Sequence, residues 1–142
     1  MAWQVTELPK EIHIEIRQII KKLIHKVRLK ENYNCQIVHA DLSGNILFDE
    51  MLSPLIIDFS PTVAPIEYAE AILVCDCIAW QGSKVSDIDM LLNNEFNNEM
   101  IIRAVVFRLA VAAIFSGNDL KRFLQQYYLF KPIIDYVELR SS

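Results

Sequence analysis

The stretch His39-Ala40-Asp41-Leu42-Ser43-Gly44-Asn45-Ile46-Leu47-Phe48, followed after a short loop by Leu55-Ile56-Ile57-Asp58-Phe59, decides how the chain is read. Two polar clusters each abut a short apolar run of strand character. Asp41 and Asn45 fall on a loop between strands, and Asp58 ends the next strand. A hairpin between the two runs would bring Asn45 and Asp58 close together. Phosphoryl transfer needs a set of this kind. The protein has to position an acceptor hydroxyl and neutralise charge on phosphates. One carboxylate can orient the acceptor and receive its proton. An amide oxygen and a second carboxylate can hold magnesium, a hard ion that favours oxygen ligands. Each residue also has a plainer role: Asp41 accepting local backbone N–H bonds, Asn45 supplying a turn, Asp58 closing a strand.

The segment Val38 to Phe59 resembles the catalytic loop and metal-binding segment of the aminoglycoside phosphotransferase family. That family shares the kinase-like fold and commonly reads H-G-D-L-H-P-G-N, followed by I-D-F or I-D-W. The resemblance implies a phosphotransferase that passes phosphate from ATP or GTP to a small hydroxylated molecule. It makes Asp41 the catalytic base, Asn45 and Asp58 ligands to Mg2+, and His39 a structural support for the loop. Phe59-Ser60-Pro61 and Pro65-Ile66-Glu67-Tyr68-Ala69-Glu70-Ala71 resemble a bacterial branch of the family. Glu67 and Glu70 are candidates for binding an amine-bearing acceptor, against the plainer reading of solvated residues in a helix's first turn.

The likeness has departures. Asn45 follows Asp41 by four residues, where the family has five, so the loop has lost one residue and its Pro. Ser60 stands where protein kinases have Gly. Ahead of the first helix there is no Gly-rich loop, strand lysine or partner glutamate, the parts that clamp nucleotide phosphates. The expectation is therefore the C-terminal lobe alone, over 1–142, inactive by itself. Apolar surface facing the missing lobe would favour a homodimer or a partner that carries a nucleotide lobe. A non-catalytic binding module, or a truncated remnant of such a kinase, is the alternative.

Outward from the motif, Leu8 to Lys30 reads as a helix, with Ile12, Ile16, Ile19, Ile20, Leu23 and Val27 at three- and four-residue spacing. Glu31 to Asn34 breaks the pattern. Gln36–Val38, Asn45–Phe48 and Leu55–Ile57 are three strand candidates, together forming a small meander over 35–59. From 65 to 140 the chain reads as helical. Ile66 to Trp80 is one helix. Ser86 to Asn93 is a second, with Ser86 as N-cap and Asp89 in the capping-box position. Glu95 to Ser116 is a third, apolar nearly all round in its second half and therefore central. Gly117 suits its C-terminal end. Asn118 caps a fourth helix running to about Phe130, Pro132 stops it, and Ile133 to Leu139 forms a last short helix. The fold class is thus mostly α with a small β meander, an α+β kinase-like C-terminal lobe.

Composition narrows the class. The chain has 142 residues, 53% hydrophobic and 23% charged, with 3 Gly and 5 Pro, which suits a globular, helix-leaning protein. Its length permits burial of roughly two thirds of the unfolded surface. The mean hydropathy of +0.23 is apolar enough for some surface to face a partner. A net charge of −4 gives no reason to expect nucleic acid or an anionic membrane as partner. Cys35, Cys75 and Cys77 are odd in number and contain no CxxC pair, so they read as small apolar residues. Met1 to Lys10 lacks the pattern of a signal peptide. The apolar run Ile101 to Phe115 is broken by Arg103 and Arg108, too short and too charged to cross a bilayer. A cytoplasmic location follows by default. Trp80, Tyr127, Tyr128 and Phe130 read as core or interface, and His13 and His25 as surface residues.

Overall fold

The computed structural model describes residues 8–28 and 33–142. The first helix is shorter than the expected 8–30: residues 8–13 and 25–28 are not helical, and 29–32, with the expected break at Glu31 and Asn32, lie outside the described residues. In chain order the elements are α1 (Ile14–Ile24), β1 (Gln36–His39), β2 (Ile46–Leu47), β3 (Leu55–Ile56), β4 (Pro61–Ala64), α2 (Ile66–Trp80), a 3-10 helix (Val85–Met90), α3 (Glu95–Ser116) and α4 (Leu120–Ser141). The chain is mostly helical with two small antiparallel sheets, as the sequence led us to expect.

The core is organised around α3. Met100, Ile101 and Ile102 are consecutive and all buried, as are Ala104, Val105 and Val106. Three successive helical residues point in three directions, so such a helix has to be covered on every side. Here α1, α2 and α4 all pack against it. The contribution of α1 is Ile16, Ile20 and Leu23, one stripe at four- and three-residue spacing. His13 is more than a surface residue: its Nδ1 accepts the N–H of Glu15 and caps α1, 3.1 Å away. Asn94 caps α3 by accepting the Asn97 N–H at 2.7 Å. Gly117 closes α3 with a φ of 58°, a left-handed conformation that glycine adopts without Cβ strain. The cap of α4 is Asp119, not Asn118, and it accepts the Arg122 N–H at 3.1 Å.

The strands form nested pairs, which corrects the expected meander. β1 pairs with β4, with Val38 opposite Thr62, and β2 pairs with β3, with Ile46 opposite Ile56. The strand missing from the sequence reading is β4. Prolines at 61 and 65 hide it, yet Pro61 is its first residue, where a missing N–H costs no ladder bond inside the strand. The outer pair therefore clamps the start and end of the motif, and the hairpin of β2 and β3 projects between them. Cys35 is exposed while Cys75 is buried, so only the latter is a core residue.

Two helical expectations change. Pro132 does not stop α4, which runs unbroken to Ser141. A proline inside a helix costs about 3 kcal/mol, partly by freeing the carbonyl four residues back. That residue, Tyr128, is exposed, so water can serve its carbonyl. Continuing the helix buries Ile133, Ile134 and Val137, which offsets the cost. The segment after Gly82 is a six-residue 3-10 helix rather than a helix to Asn93. Its start is held by Asp87, which accepts the Lys84 N–H at 3.3 Å, so Ser86 is not the cap. Asp89 accepts the Tyr136 hydroxyl at 2.6 Å. Its end is set by Arg140 of α4, which donates to the carbonyls of Ile88 at 2.9 Å and Leu91 at 3.1 Å. Carbonyls engaged by a side chain no longer need a continuing helix.

Candidate active site

Asp41 lies two residues past the end of β1, and its backbone is held by the side chain of that strand's last residue. The Asp41 N–H donates to His39 Nδ1 at 3.0 Å. His39 is buried, its ring meets Phe59 edge-on at 5.2 Å, and its Nε2 finds no partner among the described residues. The imidazole thus sits as a wedge between the two halves of the motif.

The shortened loop closes by a tight turn. Asn45 N–H donates to the Leu42 carbonyl at 2.9 Å. Gly44 has φ 77°, the positive value that the third residue of a type II turn requires. The turn carries Asn45 back onto Asp41, so that Asn45 Nδ2 donates to the Asp41 carbonyl at 2.7 Å. The same nitrogen is 3.5 Å from Asp41 Oδ2. With its nitrogen turned inward, the amide presents its oxygen elsewhere. Across the hairpin, the Ile57 N–H donates to the Asn45 carbonyl at 2.8 Å. Asp58 is the next residue, so the hairpin sets it beside the neighbour of Asn45. It has φ 48°, and it is the sole non-glycine residue with positive φ among those described. This conformation is uncommon and costly outside glycine, though Asp tolerates it better than most. The Asp58 carboxylate is exposed and takes no hydrogen bond or ion pair from a described residue.

Those features fit a magnesium site in the chemistry of its donors: a carboxylate without a partner among the described residues, an amide oxygen and a nearby second carboxylate, all hard oxygen ligands. No cluster of three His, Cys, Asp or Glu side chains poised for a metal exists among the described residues. Glu67 lies in the first turn of α2 and Glu70 one turn further on, and neither shares a hydrogen bond or ion pair with the loop.

Two residues that the motif does not contain complete the arrangement. Arg108 of α3 donates from Nη2 to Asp41 Oδ1 at 2.9 Å, and from Nε to Asp76 Oδ1 at 2.8 Å. Nη2 also reaches the second oxygen of Asp76, so the guanidinium grips that carboxylate with two donors. Asp76 is fully buried in α2. The guanidinium carbon lies 5.3 Å from the Trp80 ring centroid and 5.0 Å from that of Phe107. Burial pushes the Asp76 carboxyl up, against the hydrogen bonds and charge of Arg108. Burial also works against the charge on Arg108, but the hydrogen bonds and charge of Asp76, then of Asp41, carry its pKa above the usual guanidinium value. A signal for both residues lay in the sequence. Asp76 interrupts an apolar helix, Arg108 interrupts another, and buried charges need partners.

Beside the loop lies an open groove of about 430 Å³. Leu42, Ser43 and Gly44 form one wall, and Leu73, Val74 and Cys77 of α2 face them. No helix among the described residues is long and apolar enough to cross a membrane.

The family model for the RIO domain matches residues 1–81, more than half of the chain, and spans His39, Asp41, Asn45 and Asp58. The chain belongs to the RIO domain family. This family is kinase-like, so the kinase-like character expected from the segment 38–59 holds. No curated protein and no solved structure matches the chain. Within this RIO domain chain the match ends one residue after α2, whereas Arg108 stands beyond it on α3.

Proposed function

We propose that this chain is the catalytic lobe of a nucleotide-dependent phosphotransferase in which Asp41 receives the proton of an acceptor hydroxyl. The supporting observation is the tight loop that folds Asn45 onto Asp41 while the hairpin delivers Asp58 alongside. Asn45 Oδ1 and the Asp58 carboxylate would hold Mg2+, and His39 would keep the loop in register. Bound there, the ion would neutralise charge on the phosphates of ATP or GTP. Asp41 would orient the hydroxyl of a small acceptor and take up its proton as the bond to phosphorus forms. The narrower likeness to aminoglycoside phosphotransferases supports a small-molecule acceptor, and Glu67 or Glu70 would assist a cationic one. A thermal melt with and without magnesium-ATP and magnesium-GTP tests this reading. Ligand at about a hundred times its dissociation constant adds roughly 2.7 kcal/mol. A magnesium-dependent rise in Tm that is lost in Asp58→Ala is expected. An equal rise in both proteins, or none in either, would defeat it.

A second reading, a module whose motif face is covered by another copy or by a partner lobe, is favoured by the hairpin itself. Phe48 is 78% exposed, Met51 90% and Leu52 73%, and Leu55, Ile56 and Phe59 are also exposed. Large apolar side chains gathered on one projection mark a surface that association would bury. Light scattering at high micromolar concentration should then show a dimer that Phe48→Asp dissociates. A monomer at every concentration would reject the self-association form.

A further inference from the structure

We propose that Arg108 is a positioning residue for Asp41, aligned by Asp76, and that it leaves Oδ2 of Asp41 as the oxygen that meets the acceptor hydroxyl. The inference rests on the phosphotransferase reading for its catalytic meaning, but its geometry can be tested without turnover.

The two oxygens of Asp41 are not equivalent. Oδ1 accepts from Arg108 Nη2 at 2.9 Å. Among the described residues Oδ2 accepts only from Asn45 Nδ2, at the long distance of 3.5 Å. A carboxylate on a half-exposed loop would otherwise sample its rotamers. Pinning one oxygen fixes the direction of the other, and a proton acceptor works best when its lone pair is already aimed. Arg108 can do this because its own position is over-determined. Two donors grip Asp76, and the Trp80 and Phe107 rings flank the guanidinium. Asp76 is fully buried and so cannot meet the acceptor; its part is to hold Arg108.

A purely structural ion pair would need only Asp76 and Arg108. Buried pairs of that kind add little stability over apolar residues of similar volume. The extension to Asp41 is what a positioning role adds. The geometry also excludes simple exchange with lysine. An ammonium carries its three donors on one nitrogen, without the spread of a guanidinium, and cannot grip Asp76 at two oxygens while reaching Asp41.

The test separates positioning from folding. In Asp76→Asn/Arg108→Gln, an amide pair replaces the buried charges, so the fold should persist, while the shorter side chain at 108 no longer reaches Asp41. Three-bond couplings to the Asp41 β-protons report its χ1 rotamer by NMR. A single rotamer in the wild type that becomes averaged in the double variant, with the remaining amide spectrum retained, is expected. The same single rotamer in both would overturn the proposal. Arg108→Lys gives the same reading should the double variant fail to fold: averaging supports the proposal, an unchanged rotamer refutes it. With magnesium-ATP and an acceptor, kcat should fall about a hundredfold in Arg108→Lys, while KM for the nucleotide stays within about twofold. An unchanged kcat would also overturn the proposal. A wild type without turnover, as expected of the lobe by itself, leaves the decision to the Asp41 rotamer, which supports or refutes the positioning geometry whatever becomes of the phosphotransferase reading.

Discussion

The side-chain nitrogen of Asn45 lies 2.7 Å from the carbonyl oxygen of Asp41, closing a loop one residue shorter than the pattern it resembles. The closure depends on Gly44, whose φ of 77° no ordinary side chain adopts readily. A Cβ at Gly44 would meet nothing within 4 Å, so backbone strain alone decides the effect of substitution. Gly44→Ala is expected to cost about 1–2 kcal/mol, and Gly44→Asn distinctly less, because Asn visits the left-handed region more readily. Urea denaturation of the three proteins checks the order; equal midpoints would mean that the turn does not need this conformation.

The buried end of the Arg108 network gives a larger effect. Asp76→Ala leaves Asp41 as the one carboxylate on Arg108 among the described residues, and its side chain is 45% exposed and therefore a weak, screened partner. Removing one member of a buried pair typically costs about 3–5 kcal/mol. A fall in Tm of roughly 10 °C or more should follow for a chain of this size. A change of a degree or two would show that Arg108 is compensated some other way.

Alkaline pH probes the core of α2. Burial pushes up the Cys75 thiol from its ordinary 9.0 and the Tyr68 hydroxyl from its ordinary 10.0. Above those values the unfolded chain releases protons that the native chain retains. Stability contributed by both groups is complete below pH 9 and is lost as pH rises, at up to about 1.4 kcal/mol per unit for each group. Cys75→Ala removes the first step, so its decline should begin about one pH unit later than in the wild type. Urea melts between pH 7 and 11 measure this, and coincident slopes in the two proteins would count against a buried, protonated thiol.

What the sequence made legible was local. The stripe of Ile16, Ile20 and Leu23, the apolar girth of α3 and the turn residues around Gly44 follow from spacing and side-chain type within a few residues. Asn45 returns onto Asp41 because one tight turn joins them, and the hairpin pairs the Asn45 carbonyl with Ile57, the residue before Asp58. The rest depended on long-range partners. Asp76 and Arg108 are 32 residues apart and Arg108 and Asp41 are 67 apart, and periodicity carries no information at such separation. β4 was hidden by its prolines, since its pairing with β1 is set by the hairpin between them. At Pro132, burial of Ile133, Ile134 and Val137 overrode a local signal that stops most helices.

The most direct test of the central claim uses Mn2+ as a paramagnetic substitute for Mg2+, followed by NMR on the isotope-labelled chain. Both ions favour oxygen ligands, and broadening reports distance from the bound ion. Substoichiometric Mn2+ should broaden the amides of Asn45 and Asp58 first, with those of Asp41 and Ile57 close behind, and Asp58→Ala should abolish the effect. Broadening centred instead on other surface carboxylates, such as Asp135 and Glu138, with the loop amides untouched, would contradict a metal site at this loop.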